Sequence, residues 1–99
     1  MFALKVTMRA AKGMEDELEQ LWRRVAPKVH QSEKDTLMYM VHRKIGDPAE
    51  FFLYEQYRDR EAWAVTHMSA PYIKEALATL PNLVEGEVEV LEYEAVEVD

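Results

Sequence analysis

Hydrophobic and polar positions along the chain change period several times, and each change marks a new predicted element. Residues 2–10 alternate between apolar and more polar side chains, which predicts a β-strand with one buried face. The apolar positions of this strand are Phe2, Leu4, Val6, Met8 and Ala10. After Gly13, apolar residues recur every three or four positions from Met14 to Val29, which predicts an amphipathic helix. Pro27 is expected to bend or shorten the end of that helix.

The middle of the chain predicts a β-hairpin. Residues Thr36–Ile45 carry apolar side chains on both faces, a pattern typical of a strand in the middle of a sheet. A turn that contains Pro48 follows, and Phe51–Tyr57 forms the third strand.

The second half predicts two helices and a long final strand. Asp59 is a good N-cap for a helix over residues 60–68, and Pro71 suits the first turn of the next helix. Residues 85–99 alternate, but the apolar positions change face twice along this stretch. Such phase changes indicate β-bulges, or a strand of about fifteen residues that extends onto a partner subunit.

The resulting order, β-α-β-β-α-β, predicts an α+β, ferredoxin-like fold with a four-stranded antiparallel sheet. The helices would cover one face of the sheet, and a second copy of the chain is the simplest cover for the other. At 99 residues the chain is expected to form a single domain over residues 1–99.

Charge and composition exclude several classes of function. The net charge is −7, from 19 acidic and 12 basic residues, which argues against binding to nucleic acid or to an anionic membrane surface. There is no cysteine, so thiol chemistry and thiolate metal sites are excluded. No apolar run approaches the ~20 residues of a membrane-spanning helix, and the N-terminus does not resemble a signal peptide. A cytoplasmic protein is expected.

Cofactor and metal motifs are missing from the sequence. The three glycines stand apart, so there is no phosphate-binding loop, and the GxSxG and HExxH patterns are absent. His30 and Glu33 could share a helix face, but two ligands at a helix end are a weak metal signal. No metal and no cofactor are therefore predicted.

The remaining candidate chemistry is an aromatic pocket with one or two titratable groups. Trp63 and His67 are four residues apart and share a helix face, and Tyr72 begins the next helix. Either Tyr54 and Gln56 or Glu55 and Tyr57 point toward the helices, depending on the register of the third strand. A histidine in an apolar pocket could take the proton of an electron-rich phenol, after which dioxygen could take an electron from the anion.

Each of these residues also has a purely structural interpretation. Trp63 could be a core residue, and His67 could fill the space between two helices. Tyr72 could be a packing residue, and Glu55 could orient a neighbour or mark a bulge. His42 is expected to be exposed.

The stretch FFLYEQYRDREAWAVTHMSAPYIKEAL, Phe51–Leu77, resembles the antibiotic biosynthesis monooxygenase superfamily. The positions that carry the resemblance are Tyr54, Glu55, Gln56, Tyr57, Ala62, His67, Pro71 and Tyr72, together with Asp47-Pro48 in the turn. The length and the order of elements agree with it as well.

The resemblance implies a dimeric α+β barrel whose C-terminal strands cross the subunit interface. It also implies a small aromatic, quinol-type substrate oxidised by dioxygen without metal or flavin. His67 would handle the proton, and Trp63, Tyr72 and Tyr39 would line the pocket. Glu55 would have an orienting or hydrogen-bonding role there.

The haem-degrading branch of the superfamily is not expected, because the last helix has no histidine to bind haem iron. Two other functions stay open at this point. One is a non-oxidative enzyme on the same fold, such as an isomerase of a small signalling metabolite. The other is a non-catalytic dimeric module that binds a ligand.

Overall fold

The computed structural model describes residues 1–98 and has the order β-α-β-β-α-β, so the predicted α+β, ferredoxin-like fold is confirmed. The elements are β1 (Phe2–Ala10), α1 (Glu15–Ser32), β2 (Thr36–Arg43), β3 (Glu50–Tyr57), a π-helical segment (Ala62–His67), α2 (Pro71–Thr79), a 3₁₀ turn (Leu80–Asn82) and β4 (Val84–Glu94). Within residues 1–98, no helix is long and apolar enough to cross a membrane.

The four strands form one antiparallel sheet in the order β2-β3-β1-β4. β2 is therefore an edge strand, and its predicted place in the middle of the sheet is wrong. The apolar residues on the two faces of β2 have different surroundings. Tyr39 is buried beneath the helices, whereas Met38 and Met40 lie on the helix-free face, where they are 38% and 50% exposed.

α1 runs five residues beyond Pro27, so the expectation that this proline shortens the helix is wrong. Pro27 has no amide hydrogen, which deprives one carbonyl in the preceding turn of its usual donor. The last turn is nevertheless held, because Val29 is fully buried and its carbonyl accepts a hydrogen bond from the Glu33 amide at 2.9 Å. The extension carries the chain far enough for Glu33 to lie beneath the helices.

The helical segment after β3 begins as predicted. The Asp59 carboxylate accepts a hydrogen bond from the Ala62 amide at 2.9 Å, as expected of an N-cap. The segment then widens into a π-helix, in which the Met68 amide donates to the Trp63 carbonyl five residues earlier, at 3.1 Å. π-Helical turns are rare, and they occur frequently at functional sites.

β4 ends at Glu94, earlier than the predicted strand, and residues 95–98 have no regular structure. A register shift interrupts its pairing with β1, since Thr7 pairs with Glu89 but Arg9 pairs with Glu85. The sequence predicts either bulges or a strand that extends onto a partner subunit, and the register shift lies around residues 86–88, before the predicted phase changes. Asp99, the last residue of the predicted strand, lies outside the described residues.

Candidate active site

The centre of the candidate site is a buried pair formed by His67 and Glu33. His67 ends the π-helical segment, Glu33 follows α1, and they are 3% and 6% exposed. The Nδ1 atom of His67 lies 2.8 Å and 3.0 Å from the two carboxylate oxygens of Glu33. The pair joins the C-terminal end of α1 to the π-helical segment, 34 residues further along the chain.

Two further donors converge on the same carboxylate. The Thr36 hydroxyl donates to Glu33 Oε1 at 2.6 Å, and the Tyr72 hydroxyl donates to Oε2. Burial alone would raise the pKa of Glu33, but the hydrogen bonds from His67, Thr36 and Tyr72 outweigh it and hold the pKa below its usual value. Glu33 is therefore an ionised carboxylate that can only accept hydrogen bonds.

The state of Glu33 determines the tautomer of the neutral His67 ring. A carboxylate that only accepts requires a hydrogen on the Nδ1 that faces it, which leaves the lone pair on Nε2. A carboxylate on one ring nitrogen and a free lone pair on the other is the arrangement that orients histidine as a general base in Ser-His-Asp enzymes. His67 is therefore set to accept a proton at Nε2.

Glu55 is the second buried carboxyl of the site, and its environment is different. It lies on β3 and is 3% exposed, and its Oε1 accepts one hydrogen bond, from the Tyr57 hydroxyl at 2.6 Å. Burial raises the pKa of Glu55, and the favourable effects of Tyr57 and His67 offset only part of that. Burial likewise raises the pKa of Tyr57, so this phenol remains a donor. Two carboxyls whose pKa values move in opposite directions are a common mark of acid–base sites.

A cavity of about 110 Å³ lies between the helices and the sheet, beside these groups. His67 and Glu55 both line it, and the His67 Nε2 atom is 4.0 Å from Glu55 Oε1, too far for a direct hydrogen bond. Most of the remaining wall is apolar, with Leu53, Ile73 and Ala76 among its members. For comparison, an engineered apolar cavity of ~150 Å³ binds benzene, so this smaller space has room for at most one ring.

Most of the residues predicted for the site come together at this cavity. Trp63 and Tyr39 line it along with His67 and Glu55. The Tyr39 ring packs against His67, with ring centroids 5.2 Å apart. Tyr72 is not a lining residue, since its hydroxyl approaches the site from behind and binds Glu33. The register of β3 turns Glu55 and Tyr57 inward, which settles the alternative that the sequence left open.

Glu33 is the residue that sequence reasoning missed. It stands in the polar stretch Gln31–Asp35, where a solvated helix end is the ordinary expectation. The sequence offers Glu33 only as a weak metal ligand with His30, but His30 is exposed and Glu33 is turned inward. Among residues 1–98 no three His, Cys, Asp or Glu side chains converge to hold a metal ion. Only the continuation of α1 past Pro27 puts Glu33 in place, and no local pattern signals that continuation.

His42 lies outside the site, and the expectation that it is exposed is wrong. Its ring stacks on Phe52 on the helix-free face of the sheet, with centroids 4.2 Å apart and an interplanar angle of 6°. Its Nδ1 is buried and has no hydrogen-bond partner among the described residues.

Solved structures share this fold over almost their whole length. A candidate antibiotic biosynthesis monooxygenase from Deinococcus radiodurans is 26% identical, with a TM-score of 0.88 over 100% of this chain and 96% of that chain. A Pseudomonas aeruginosa protein is also 26% identical, with a TM-score of 0.84 over 97% and 94% of the two chains. A candidate antibiotic biosynthesis monooxygenase from Nitrosomonas europaea has a TM-score of 0.92 over 98% and 100%, but at 16% identity it supports the fold alone.

The sequence itself was compared with proteins of curated function and with models of protein families. No protein of curated function matches the sequence. The model of the antibiotic biosynthesis monooxygenase family matches residues 1–79, which include β1, α1, the hairpin, the π-helical segment and α2. This protein belongs to the antibiotic biosynthesis monooxygenase family.

Proposed function

We propose that this protein is a monooxygenase that oxidises a small, single-ring phenol or quinol with dioxygen, without metal or flavin. The observation that carries the proposal is the orientation of His67. Its Nδ1 is held by the buried carboxylate of Glu33, and its Nε2 edge faces an apolar cavity of about 110 Å³. Trp63 and Tyr39 give that cavity aromatic walls.

The proposed reaction begins with proton transfer. His67 Nε2 takes a phenolic proton, and Glu33 stabilises the resulting imidazolium. The phenolate passes one electron to dioxygen, and the two radicals combine to form a C–O bond at a ring carbon. The peroxide takes the proton back from His67, and elimination of water then leaves a new carbonyl. The substrate supplies all four electrons, one oxygen atom enters the product and the other leaves as water, so no separate reductant is consumed.

The surrounding residues support these steps by excluding water. The ring would lie among apolar side chains of β3 and α2, where an electron-rich phenolate is protected from side reactions. Glu55, whose pKa is raised by burial, would lie beside the oxygen of the ligand and could donate or accept a hydrogen bond. Tyr72 and Thr36 hold Glu33 from behind, so they position the base without touching the ligand.

We also propose that the protein acts as a homodimer through the helix-free face of the sheet and its C-terminal strand. That face exposes large apolar side chains, among them Met38, Met40, Leu91 and Tyr93. Beyond β4, Val96 and Val98 are 85% and 88% exposed and would gain cover on a partner subunit. Burial of such side chains is the dominant favourable contribution to protein association.

Oxygen uptake with a panel of single-ring phenols and quinols tests the proposed activity. We expect wild-type protein to consume oxygen and to place one atom of ¹⁸O₂ in the product. His67→Gln should lower kcat by about 10²- to 10⁴-fold, the usual contribution of a general base. His30→Gln is the matched control, because His30 is exposed and should not affect turnover. Absence of uptake by the wild type, or full activity in folded His67→Gln, would refute the proposal.

A proton-transfer isomerase is the second candidate, and the Glu55–His67 pair favours it. A carboxyl whose pKa is raised lies 4.0 Å from a nitrogen that is set to accept a proton. Such a pair can remove a proton from one atom of a ligand and return it to another. Exchange of ligand hydrogens with D₂O, without oxygen uptake, would identify this activity instead.

A further inference from the structure

The polar end of the cavity has a feature that the general reaction does not require. Two hydrogen-bond acceptors lie side by side there, His67 Nε2 and Glu55 Oε1, separated by 4.0 Å. Nε2 makes no hydrogen bond within residues 1–98, and Oε1 accepts only the bond from Tyr57. A carboxyl oxygen can accept a second hydrogen bond, and it retains an acceptor lone pair in either protonation state.

Two acceptors at this separation can distinguish the three isomers of dihydroxybenzene by the distance and direction of their hydroxyl groups. Each O–H···N or O–H···O bond would be about 2.7–2.8 Å long. In the 1,3 isomer, both O–H bonds can turn to the same side of the ring and run nearly parallel. The two oxygens are then slightly further apart than the two acceptors, so both hydrogen bonds form with good angles.

The other two isomers cannot make both bonds well. Hydroxyls on adjacent carbons are closer together than the acceptors, and their O–H bonds would have to bend far from the preferred direction. Hydroxyls at opposite ends of the ring would bring ring hydrogens against the acceptors. Each of these isomers therefore keeps one good hydrogen bond at the His67–Glu55 end.

We propose that the cavity is a binding site for a neutral, single-ring 1,3-dihydroxybenzene, with one hydroxyl on His67 and the other on Glu55. This inference rests on the proposed function and names its substrate class. The electronic effect agrees with the geometry, because two hydroxyls in the 1,3 relationship enrich the same ring carbons. Oxygenation at a carbon para to one hydroxyl and ortho to the other would give a hydroxyquinone and water.

Charge further restricts the ligand. Among the described residues that line the cavity none is lysine or arginine, whereas Glu55 lines it and Glu33 lies directly behind His67. A substrate carboxylate would be buried there without a partner, which is costly. The ring substituents are therefore expected to be hydrogen or small neutral groups.

Calorimetric titration under argon tests this inference without any turnover. The ligands are the 1,2, 1,3 and 1,4 isomers of dihydroxybenzene, which have the same composition and nearly the same size. We expect the 1,3 isomer to bind about tenfold more tightly than the other two, a ratio that corresponds to 1.4 kcal/mol. The methyl ether 3-methoxyphenol, which has one hydroxyl blocked, should bind about as weakly as phenol.

A double variant, Glu55→Met with Tyr57→Phe, removes the second acceptor together with its buried donor, so no polar group is left unpaired. It should lose the preference for the 1,3 isomer and keep the affinity for phenol within about threefold. The comparison of 3-methoxyphenol with the 1,3 isomer needs only wild-type protein and decides the question if the variant does not fold.

The inference is overturned if the 1,2 or 1,4 isomer binds as tightly as the 1,3 isomer, if none binds at millimolar concentration, or if the preference survives in the folded double variant. Its failure is distinguishable from failure of the proposed function. A preference for the 1,3 isomer without oxygen uptake would refute the monooxygenase alone, and uptake without the preference would refute the ligand assignment alone.

Discussion

Replacement of Glu33 by glutamine changes one oxygen for an amide nitrogen at the point where three donors meet. His67 Nδ1, the Thr36 hydroxyl and the Tyr72 hydroxyl all donate to this carboxylate. A glutamine keeps one oxygen, which can accept two of the three bonds, and it points an NH₂ group at the third donor. A buried donor left without a partner costs about 1–3 kcal/mol.

We therefore expect Glu33→Gln to lower the free energy of unfolding by about 1–3 kcal/mol at neutral pH. Each kcal/mol corresponds to a fall in Tm of about 4–8 °C for a domain of this size. Urea denaturation at one fixed protein concentration is the assay, because a dimer gains stability with concentration. Glu61→Gln is the control, since Glu61 is exposed, and a surface change of this kind stays within about 0.5 kcal/mol.

The pH dependence tests the cause of the loss. The pKa of Glu33 is held below its ordinary value of 4.5, so the stability that its charge contributes is present above pH 4.5 and disappears as the pH falls through the lowered pKa. The difference between wild type and Glu33→Gln should therefore shrink as the pH falls from 4.5 through the lowered pKa. A Glu33→Gln protein as stable as the wild type at pH 7, or a difference that does not change with pH, would refute the reasoning.

Substitutions at Glu55, Ala76 and Met40 test three other features. Glu55→Gln should change the free energy of unfolding in the direction opposite to Glu33→Gln. Burial raises the pKa of Glu55 above 4.5, so its ionisation disfavours the folded state as the pH rises through that raised pKa. The glutamine variant should therefore be more stable than the wild type at pH 8 but not at pH 4. Urea midpoints at the two pH values check this. Ala76→Leu should fill the cavity, abolish phenol binding in calorimetry and change the unfolding free energy by less than about 1.5 kcal/mol, because the added carbons enter existing space; unchanged affinity would place the ligand elsewhere. Met40→Asp should shift the protein toward monomers in sedimentation experiments by charging the helix-free face, whereas Leu77→Asp, at a residue of α2 that is 42% exposed, should leave the assembly unchanged.

Several elements could be predicted because their information is local. The alternation in β1 and the three- and four-residue spacing in α1 each depend on residues that are close in sequence. The Asp59 cap and Pro71 at the start of α2 depend on single residues with well-defined backbone preferences. These features were sufficient for the order of elements and hence for the fold.

The chemistry of the site was harder to predict because it depends on contacts between distant parts of the chain. Trp63 and His67 could be paired from their spacing on one helical face. The pairing of His67 with Glu33 spans 34 residues, and it needs α1 to continue past Pro27. The inward direction of Glu55 follows from the register of β3 against β1. Alternation along β3 alone does not decide which of its two faces points toward the helices.

The central claim is that His67 presents an unprotonated Nε2 to the cavity, and ¹⁵N NMR of histidine-labelled protein measures this directly. The neutral ring should show the hydrogen on Nδ1 and a free lone pair on Nε2, and a bound phenol should shift the Nε2 resonance and leave the Nδ1–H assignment unchanged. His30→Gln and His67→Gln proteins would assign the signals. A neutral His67 ring with its hydrogen on Nε2 would contradict the account, because the nitrogen facing the cavity could then no longer accept a proton.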